Sequence, residues 1–317
     1  MTPTISICIP VYKSVIYLER LLNSIFKQTF VDFEIVITDD SPDDTIKVWL
    51  NEHFTDKRIF YVRNPVALGT PENWNEAIRR AKGEWIKIMH DDDWFSSPDA
   101  LKIFYEAIQM GNAQFYFCAY RNIDVKNPNN YRDFWLNKSR WKQIVAFPPI
   151  ICAQNVIGAP SVVMVSKHLH QTYDNQMKWL VDIDYYIRVI ESAKTHYIPE
   201  ILVNVGQSDL QVTSYTHNQP DVEIPEGLRL LSKLSSNPFH HILYYDVWWR
   251  LLRNLKIREE EQLIFYAGKE KVPFPILHML HNLRKVPEWS LSRGVFSKFY
   301  MLLSYLNYSV LKPKTPL

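Results

Sequence analysis

Residues 6–45 read SICIPVYKSVIYLERLLNSIFKQTFVDFEIVITDDSPDDT. Residues 4–11 are rich in Ile and Val and alternate little, the pattern of a strand buried on both faces. Residues 15–28 then place Leu18, Leu21, Leu22, Ile25 and Phe26 at helical spacing. Residues 33–38 (FEIVIT) form a second buried strand, which ends at Asp39-Asp40. Ser41-Pro42-Asp43-Asp44 turns the chain and caps a helix running to about His53. Strand, helix and strand in this order make a βαβ unit, which implies a parallel sheet.

The same alternation continues outward from this stretch. Residues 58–62 (RIFYV) read as a third strand, and Pro71 opens a helix that runs to Ala81 and stops at Gly83. Residues 84–89 (EWIKIM) form a fourth strand and run into His90-Asp91-Asp92-Asp93. Pro98 opens a helix to about Met110, and residues 114–120 (QFYFCAY) form a fifth strand. Residues 121–156 read as irregular, with Pro148-Pro149 among their turn signals. Gly158-Ala159-Pro160-Ser161 precedes the strand-like VVMV, and residues 180–193 read as a helix with Asp182 in its first turn. Helical patterns dominate from 225 onward, over 226–235, 240–267 and 291–310. The expectation is an α/β fold, a mostly parallel sheet with helices on both faces, plus a C-terminal helical region. The boundary is placed so that 1–224 is one domain and 225–317 the other. In such sheets ligands bind beyond the carboxyl ends of the strands, where both acidic clusters fall.

Composition narrows the class further. Of 317 residues 47% are hydrophobic and 22% charged, which excludes wholesale disorder. Eight glycines exclude glycine-dependent repeats. Cys8, Cys118 and Cys152 are odd in number and far apart, so they form neither a disulfide framework nor a zinc knuckle. No apolar stretch reaches the ~18 residues of a membrane span. The apolar run 5–11 has no basic segment before it and no small-residue cleavage site after it, and reads as a strand rather than a signal peptide. Charge is uneven: 14 basic and 7 acidic residues lie in 225–317, against 22 and 27 in 1–224. A basic, aromatic-rich C-terminal part fits an anionic membrane surface, or a solvated helical face. No nucleic-acid recognition motif accompanies it, and no nucleic-acid partner is expected.

The chemistry resides in carboxylates. There is no GxGxxG and no GxxxxGK[ST], so a phosphate ligand would need another neutraliser. Asp91-Asp92-Asp93 supplies one through a divalent cation, since hard oxygen ligands select Mg²⁺ or Mn²⁺. Three adjacent carboxylates at a buried strand end repel one another, which makes a cation a physical need as well. The alternative is an acidic helix entry. Asp39-Asp40 can accept the imide N–H of uracil or thymine, or can serve as a turn carboxylate. Asp182 and Asp184 do not share a helix face and take separate roles, one of them as a candidate general base.

The run 6–45, the run NPVALGTPENWNEAIRRAKGEWIKIMHDDDWFSSPDAL (64–101), GAPS (158–161) and VDIDYYIRV (181–189) together resemble the GT-A glycosyltransferases of family 2. These are inverting enzymes that use nucleotide-diphosphate sugars, and the resemblance covers about 4–215. It implies that Pro10, Val11 and Tyr12 pack around the base and that Asp40 bonds its imide. It places the ribose and the metal-bound diphosphate at the acidic motif, and the catalytic base at Asp182, six residues before Arg188. The family pattern sets two carboxylates around one spacer, whereas three are consecutive here. One register makes Asp91 and Asp93 the pair, with Asp93 the metal ligand, Asp91 near the ribose and Asp92 beside them. The other puts His90 first and Asp92 last. Trp74 stands where many relatives carry an arginine, with Arg79, Arg80 or a later basic residue as substitutes. Trp74, Trp94, Ser161, Trp179 and Asp184 are expected near donor sugar or acceptor.

The implied reaction is one inverting displacement. A Mn²⁺ or Mg²⁺ ion clamps the diphosphate while Asp182 deprotonates an acceptor hydroxyl. The expected donor is a UDP-sugar, with dTDP sharing the same imide edge. The expected acceptor is a glycan, lipid-linked, in synthesis of an O-antigen or capsule-type polysaccharide. The chain is then expected in the cytoplasm, peripheral on the inner face of the membrane, with a homodimer as another use of the C-terminal helices. Two rival classes are a nucleotidyltransferase, for which residues 9–20 lack the glycine- and basic-rich loop, and a non-enzymatic GT-A-like binding module.

Overall fold

The computed structural model describes residues 2–207 and 218–311. The end of the family-like region, 208–215, and the basic tail at 312–317 lie outside the described residues. Packing divides the chain into two compact units. One comprises 2–145, 156–176 and 184–207, and the other 146–155, 177–183 and 218–311. The units interleave along the sequence, whereas a single break after 224 was expected.

The first unit is built on a nine-stranded sheet in the order β3-β2-β1-β4-β8-β6-β9-β5, with β7 paired to β6. Strands β1 (Ile5–Val11), β2 (Phe33–Asp39), β3 (Ile59–Arg63) and β4 (Trp85–Ile88) are mutually parallel. Every residue of β1 is buried, which is why it reads as an unbroken apolar run. Helices α1 (Val15–Phe26), α2 (Thr45–His53) and α3 (Glu72–Arg80) make the crossovers. In α1, Leu18, Leu21, Leu22 and Ile25 form the buried stripe. Beyond the two-residue β5 (Trp94–Phe95), helix α4 (Ala100–Met110) leads to β6 (Phe115–Asp124). The strand order reverses at β1, which has β2 on one side and β4 on the other. The carboxyl ends of these three strands carry Val11, Asp39 and the 89–93 segment. A ligand crevice is expected at such a switch point.

The sheet is mixed beyond β4. Strand β8 (Val163–Ser166) runs antiparallel to both β4 and β6, and β9 (Thr195–Gln207) runs parallel to β6. The stretch expected to be irregular contains β7 (Tyr131–Phe134), α5 (Lys138–Ala146) and a 3₁₀ turn over Pro148–Ala153. Helix α6 (Val181–Ser192) agrees with the expected one.

The second unit packs helices around Trp248, Trp249, Tyr244, Tyr245, Phe239 and Leu252, all nearly inaccessible. Its long helices are α7 (Pro220–Lys233), α8 (Ile242–Asn254), α9 (Glu260–Ala267), α10 (Phe274–Arg284) and, after the short α11 (Glu288–Leu291), α12 (Gly294–Leu311). The single helix expected over 240–267 is two. Lys256 takes a left-handed φ of 55°, and Glu259 with Gln262 forms a capping box that starts α9 afresh. No helix among the described residues is long and apolar enough to cross a membrane.

Candidate nucleotide and cation site

Two adjacent aspartates end β2 with different tasks. Asp39 accepts the Ser41 backbone N–H at 2.7 Å and the Tyr61 hydroxyl at 2.7 Å, so it ties the turn to β3. Burial and this bond push the Tyr61 phenol well up. Asp40 accepts from Asn64 Nδ2 at 2.7 Å and from the backbone N–H groups of Leu68 (3.0 Å) and Gly69 (2.7 Å). Three donors fill three of about four lone-pair positions on a carboxylate, leaving room for one more. Gly69 makes this loop with φ +73°, a conformation glycine adopts without strain. Asn64 also bonds Asn73 Oδ1 at 2.9 Å, and Asn73 exchanges bonds with Thr38. Pro10 and Val11 pair with Thr38 and Asp39 across the β1–β2 register, and Tyr12, beyond the strand, is 56% exposed. The expected base-binding residues thus gather at one strand end.

The acidic motif follows β4 and folds as a turn closed by Asp93 N–H to His90 C=O at 3.1 Å. Ser161 Oγ accepts the His90 backbone N–H at 2.9 Å and also bonds the Asp93 carboxylate. Asp93, 1% exposed, accepts the Gly206 N–H at 3.0 Å. Arg20 donates to the Asp92 carbonyl at 2.6 Å, with its guanidinium 3.8 Å above the Trp94 ring. The buried Lys87 ammonium bonds the Ser161 carbonyl, and burial lowers its pKa to about 8. Burial and the neighbouring Asp92 charge raise the Asp91 carboxyl to about 8 and push Asp93 well up. Burial lowers the His90 imidazole, which favours its neutral form. The motif is thus short of positive charge.

Ligand atoms of His90, Asp92 and Asp93 all lie within 4.8 Å of one another. His90 Nε2 is buried and makes no hydrogen bond. A neutral imidazole nitrogen without a partner beside two carboxylates fits a divalent cation. Asp91, expected as a ligand with Asp93, does not belong to this group. The side chains brought together take His90 and Asp92 from one register and Asp93 from the other. The three residues span the turn from His90 to Asp93, which joins both ends of the motif while passing over Asp91.

Trp74 packs on His90 (ring centroids 4.6 Å apart) and edge-on to Tyr173 (5.2 Å). Arg79 pairs with Glu72 and Glu76, and Arg80 with Glu76, so both expected substitutes are engaged on α3. Arg20, which sequence reasoning missed, approaches the motif instead; on α1 it looks like one more surface base. Asp184 is buried and pairs with Arg188 at 2.8 Å, a bond within its own helix.

Asp182 belongs to the second unit. Its carboxylate accepts the Ile183 N–H at 2.8 Å and Asn155 Nδ2 at 2.9 Å. Burial raises its pKa to about 6 in spite of these bonds. Just ahead of it, Glu226 of α7 accepts the backbone N–H groups of Lys178 (2.7 Å), Trp179 (2.8 Å) and Leu180 (2.9 Å). Neither Asn155 nor Glu226 carried a signal in the sequence, since each acts on a partner far along the chain.

Gly206 is needed for a different reason than Gly69. A Cβ there would run into the Asp92 carbonyl oxygen, which Arg20 holds from another side. Gly206→Ala is expected to destabilise the protein by ~1–3 kcal/mol through overpacking. It should also weaken Mn²⁺ binding, which titration calorimetry with thermal unfolding would measure.

Fold and site together define a GT-A glycosyltransferase domain. Residues 6–155, just under half of the chain, match the family model described as glycosyl transferase family 2. It is 34% identical over 136 residues to the abequosyltransferase RfbV of Salmonella typhimurium, covering 39% of this chain and 40% of that one. It is 37% identical over 93 residues to the GalNAc(5)-diNAcBac-PP-undecaprenol beta-1,3-glucosyltransferase of Campylobacter jejuni, covering 29% and 30%. The chain thus spans well under two thirds of either relative. Its fold is similar to that of S. aureus TarS 1–349 in complex with UDP-GlcNAc, with TM-score 0.62 and 16% identity over 98% of this chain and 93% of that one.

Proposed function

We propose that this chain transfers a sugar from a nucleoside-diphosphate donor, UDP-linked, to a glycan hydroxyl with inversion at the anomeric carbon. The observation that carries the reading is the His90–Asp92–Asp93 group at the end of β4. The TarS complex and the nucleotide-sugar chemistry of the family support it. A divalent cation held by these residues, Mn²⁺ or Mg²⁺, would neutralise diphosphate charge. Asp40 offers an acceptor to the imide of the base, and Pro10, Val11 and Tyr12 flank it. Asp182 removes the proton from the attacking hydroxyl. Trp74, Trp94 and Trp179 then serve donor sugar or acceptor, while buried Ser161 holds the acidic motif in place. A thermal-shift panel of nucleoside diphosphates with and without Mn²⁺ tests the reading. UDP should stabilise the protein only with the metal, by mass action. No shift with any nucleotide overturns it.

The acceptor belongs to O-antigen or capsule-type synthesis and is carried on a lipid, in keeping with the undecaprenol-linked glycan in the name of the Campylobacter relative. The chain then works in the cytoplasm against the inner face of the membrane. Helix α12 supports this. Ser297, Met301, Ser304 and Tyr308 are its buried stripe, yet Val295 (82% exposed), Phe299, Leu302, Leu306 and Val310 (85%) leave a second apolar stripe in water. Lys298 is the only charge on the helix, and residues 271–317 hold 7 basic and 1 acidic residue. Such a surface suits an anionic bilayer, where apolar burial and basic charge act together. Phe299→Glu with Leu306→Glu should reduce partitioning onto anionic vesicles at least about tenfold. Unchanged sedimentation with vesicles would assign the face to a homodimer, visible as a mass change on dilution.

A further inference from the structure

We propose that His90 is itself a metal ligand, and that its imidazole makes this site prefer transition-metal cations such as Mn²⁺ or Co²⁺ over Mg²⁺. The proposal rests on the reading of the acidic motif as the cation site and specifies its chemistry. Three observations carry it. His90 Nε2 is buried without a hydrogen bond, and buried polar atoms are nearly always satisfied. Its ring shares a 4.8 Å cluster with the ligand atoms of Asp92 and Asp93. The residue is held at its root, because the backbone N–H bonds Ser161 Oγ at 2.9 Å while the Trp74 ring packs against the imidazole at 4.6 Å. A side chain fixed at both its backbone and its ring, with an unpartnered nitrogen on a ring clustered with two carboxylates, is preorganised for a cation.

The identity of the ligand decides the preference. Mg²⁺ favours all-oxygen octahedral surroundings and keeps its waters. Imidazole suits first-row transition metals, and affinity rises from Mn²⁺ through Co²⁺. A carboxylate at position 90 would give an all-oxygen motif that accepts Mg²⁺ readily. Histidine removes one anionic oxygen and supplies a neutral nitrogen, which costs Mg²⁺ more than it costs Mn²⁺.

The test uses the full chain with UDP and Mn²⁺ or Mg²⁺. Pulsed electron paramagnetic resonance of bound Mn²⁺ should show modulation from a directly bonded nitrogen. His90→Asp should still bind Mn²⁺ but lose that modulation. Its ratio of Mg²⁺ to Mn²⁺ affinity should rise at least about tenfold, the scale on which ligand environment alters metal binding. Wild-type Mn²⁺ without nitrogen modulation overturns the proposal even if no variant folds. A His90→Asp protein with unchanged modulation and unchanged metal ratio overturns it as well. If the wild-type chain binds no Mn²⁺ with or without UDP, the reading of the whole acidic motif falls and this proposal with it.

Discussion

Asp182→Asn should lower turnover by ~10²–10⁴-fold, the usual worth of a positioned general base. Donor binding should survive, since the nucleotide and cation are assigned to the β2 and β4 strand ends and not to Asp182. The side chain is nearly isosteric, so Asn155 and the Ile183 N–H keep a partner of the same size. A thermal shift with UDP and Mn²⁺ that equals wild type, together with lost turnover, is the expected result. A variant that turns over at the wild-type rate would remove Asp182 from the base role. The pH profile gives a second check. Burial raises the Asp182 carboxyl to about 6, above the ordinary carboxylate value. The base is therefore competent above that pH and protonated below it, and kcat/KM should fall as pH drops through about 6. For stability the sign is opposite. The folded state holds this proton more tightly than the unfolded chain, so the contribution is full below the ordinary carboxylate pKa. It is lost as pH rises through about 6.

Asp93→Asn and Asp92→Asn should each abolish the Mn²⁺-dependent stabilisation by UDP and cost turnover ~10²–10³-fold, in line with the loss of an electrostatic stabiliser. The metal-free protein should tolerate either change. Asp91, Asp92 and Asp93 crowd like charges into a buried turn, and burial and Asp92 drive the Asp93 carboxyl upward. Removing one charge relieves that repulsion while an amide oxygen can still accept the Gly206 N–H. Loss of nucleotide binding without loss of melting temperature would separate function from folding. A gain in UDP affinity on adding Mn²⁺ that is as large in Asp93→Asn as in the wild type would contradict a metal role for this residue.

The parallel half of the sheet was legible because burial on both faces writes itself as apolar runs. Strands β1, β2 and β4 and the stripe on α1 fall within a residue or two of their expected places. Strand β9 was not legible. Its residues Thr195–Gln207 include Pro199 and Glu200, and its pairing partner β6 lies about eighty residues earlier. The break between α8 and α9 was missed because apolar periodicity runs through it, while the capping box that causes it is a local polar pattern. At the site, the residue types were readable but the register was not. Three consecutive aspartates look alike in sequence. What distinguishes them is Ser161, 71 residues from His90, and Gly206, 113 residues from Asp93. Asp40 was identified by its strand end, yet the Asn64–Gly69 loop that grips it reads only as a turn.

The three hydrogen bonds from residues 178–180 to the Glu226 carboxylate bear on how such chains can be recombined. Glu226 lies in the first helix after the apparent end of the recognisable domain, yet it fixes the peptide leading into Asp182. A chimera cut at 224, joining this N-terminal part to the C-terminal helices of another transferase, would keep every recognisable motif. It would still lose the anchor of the peptide that leads into Asp182. Segments that can be exchanged as working parts must therefore keep 177–183 together with α7.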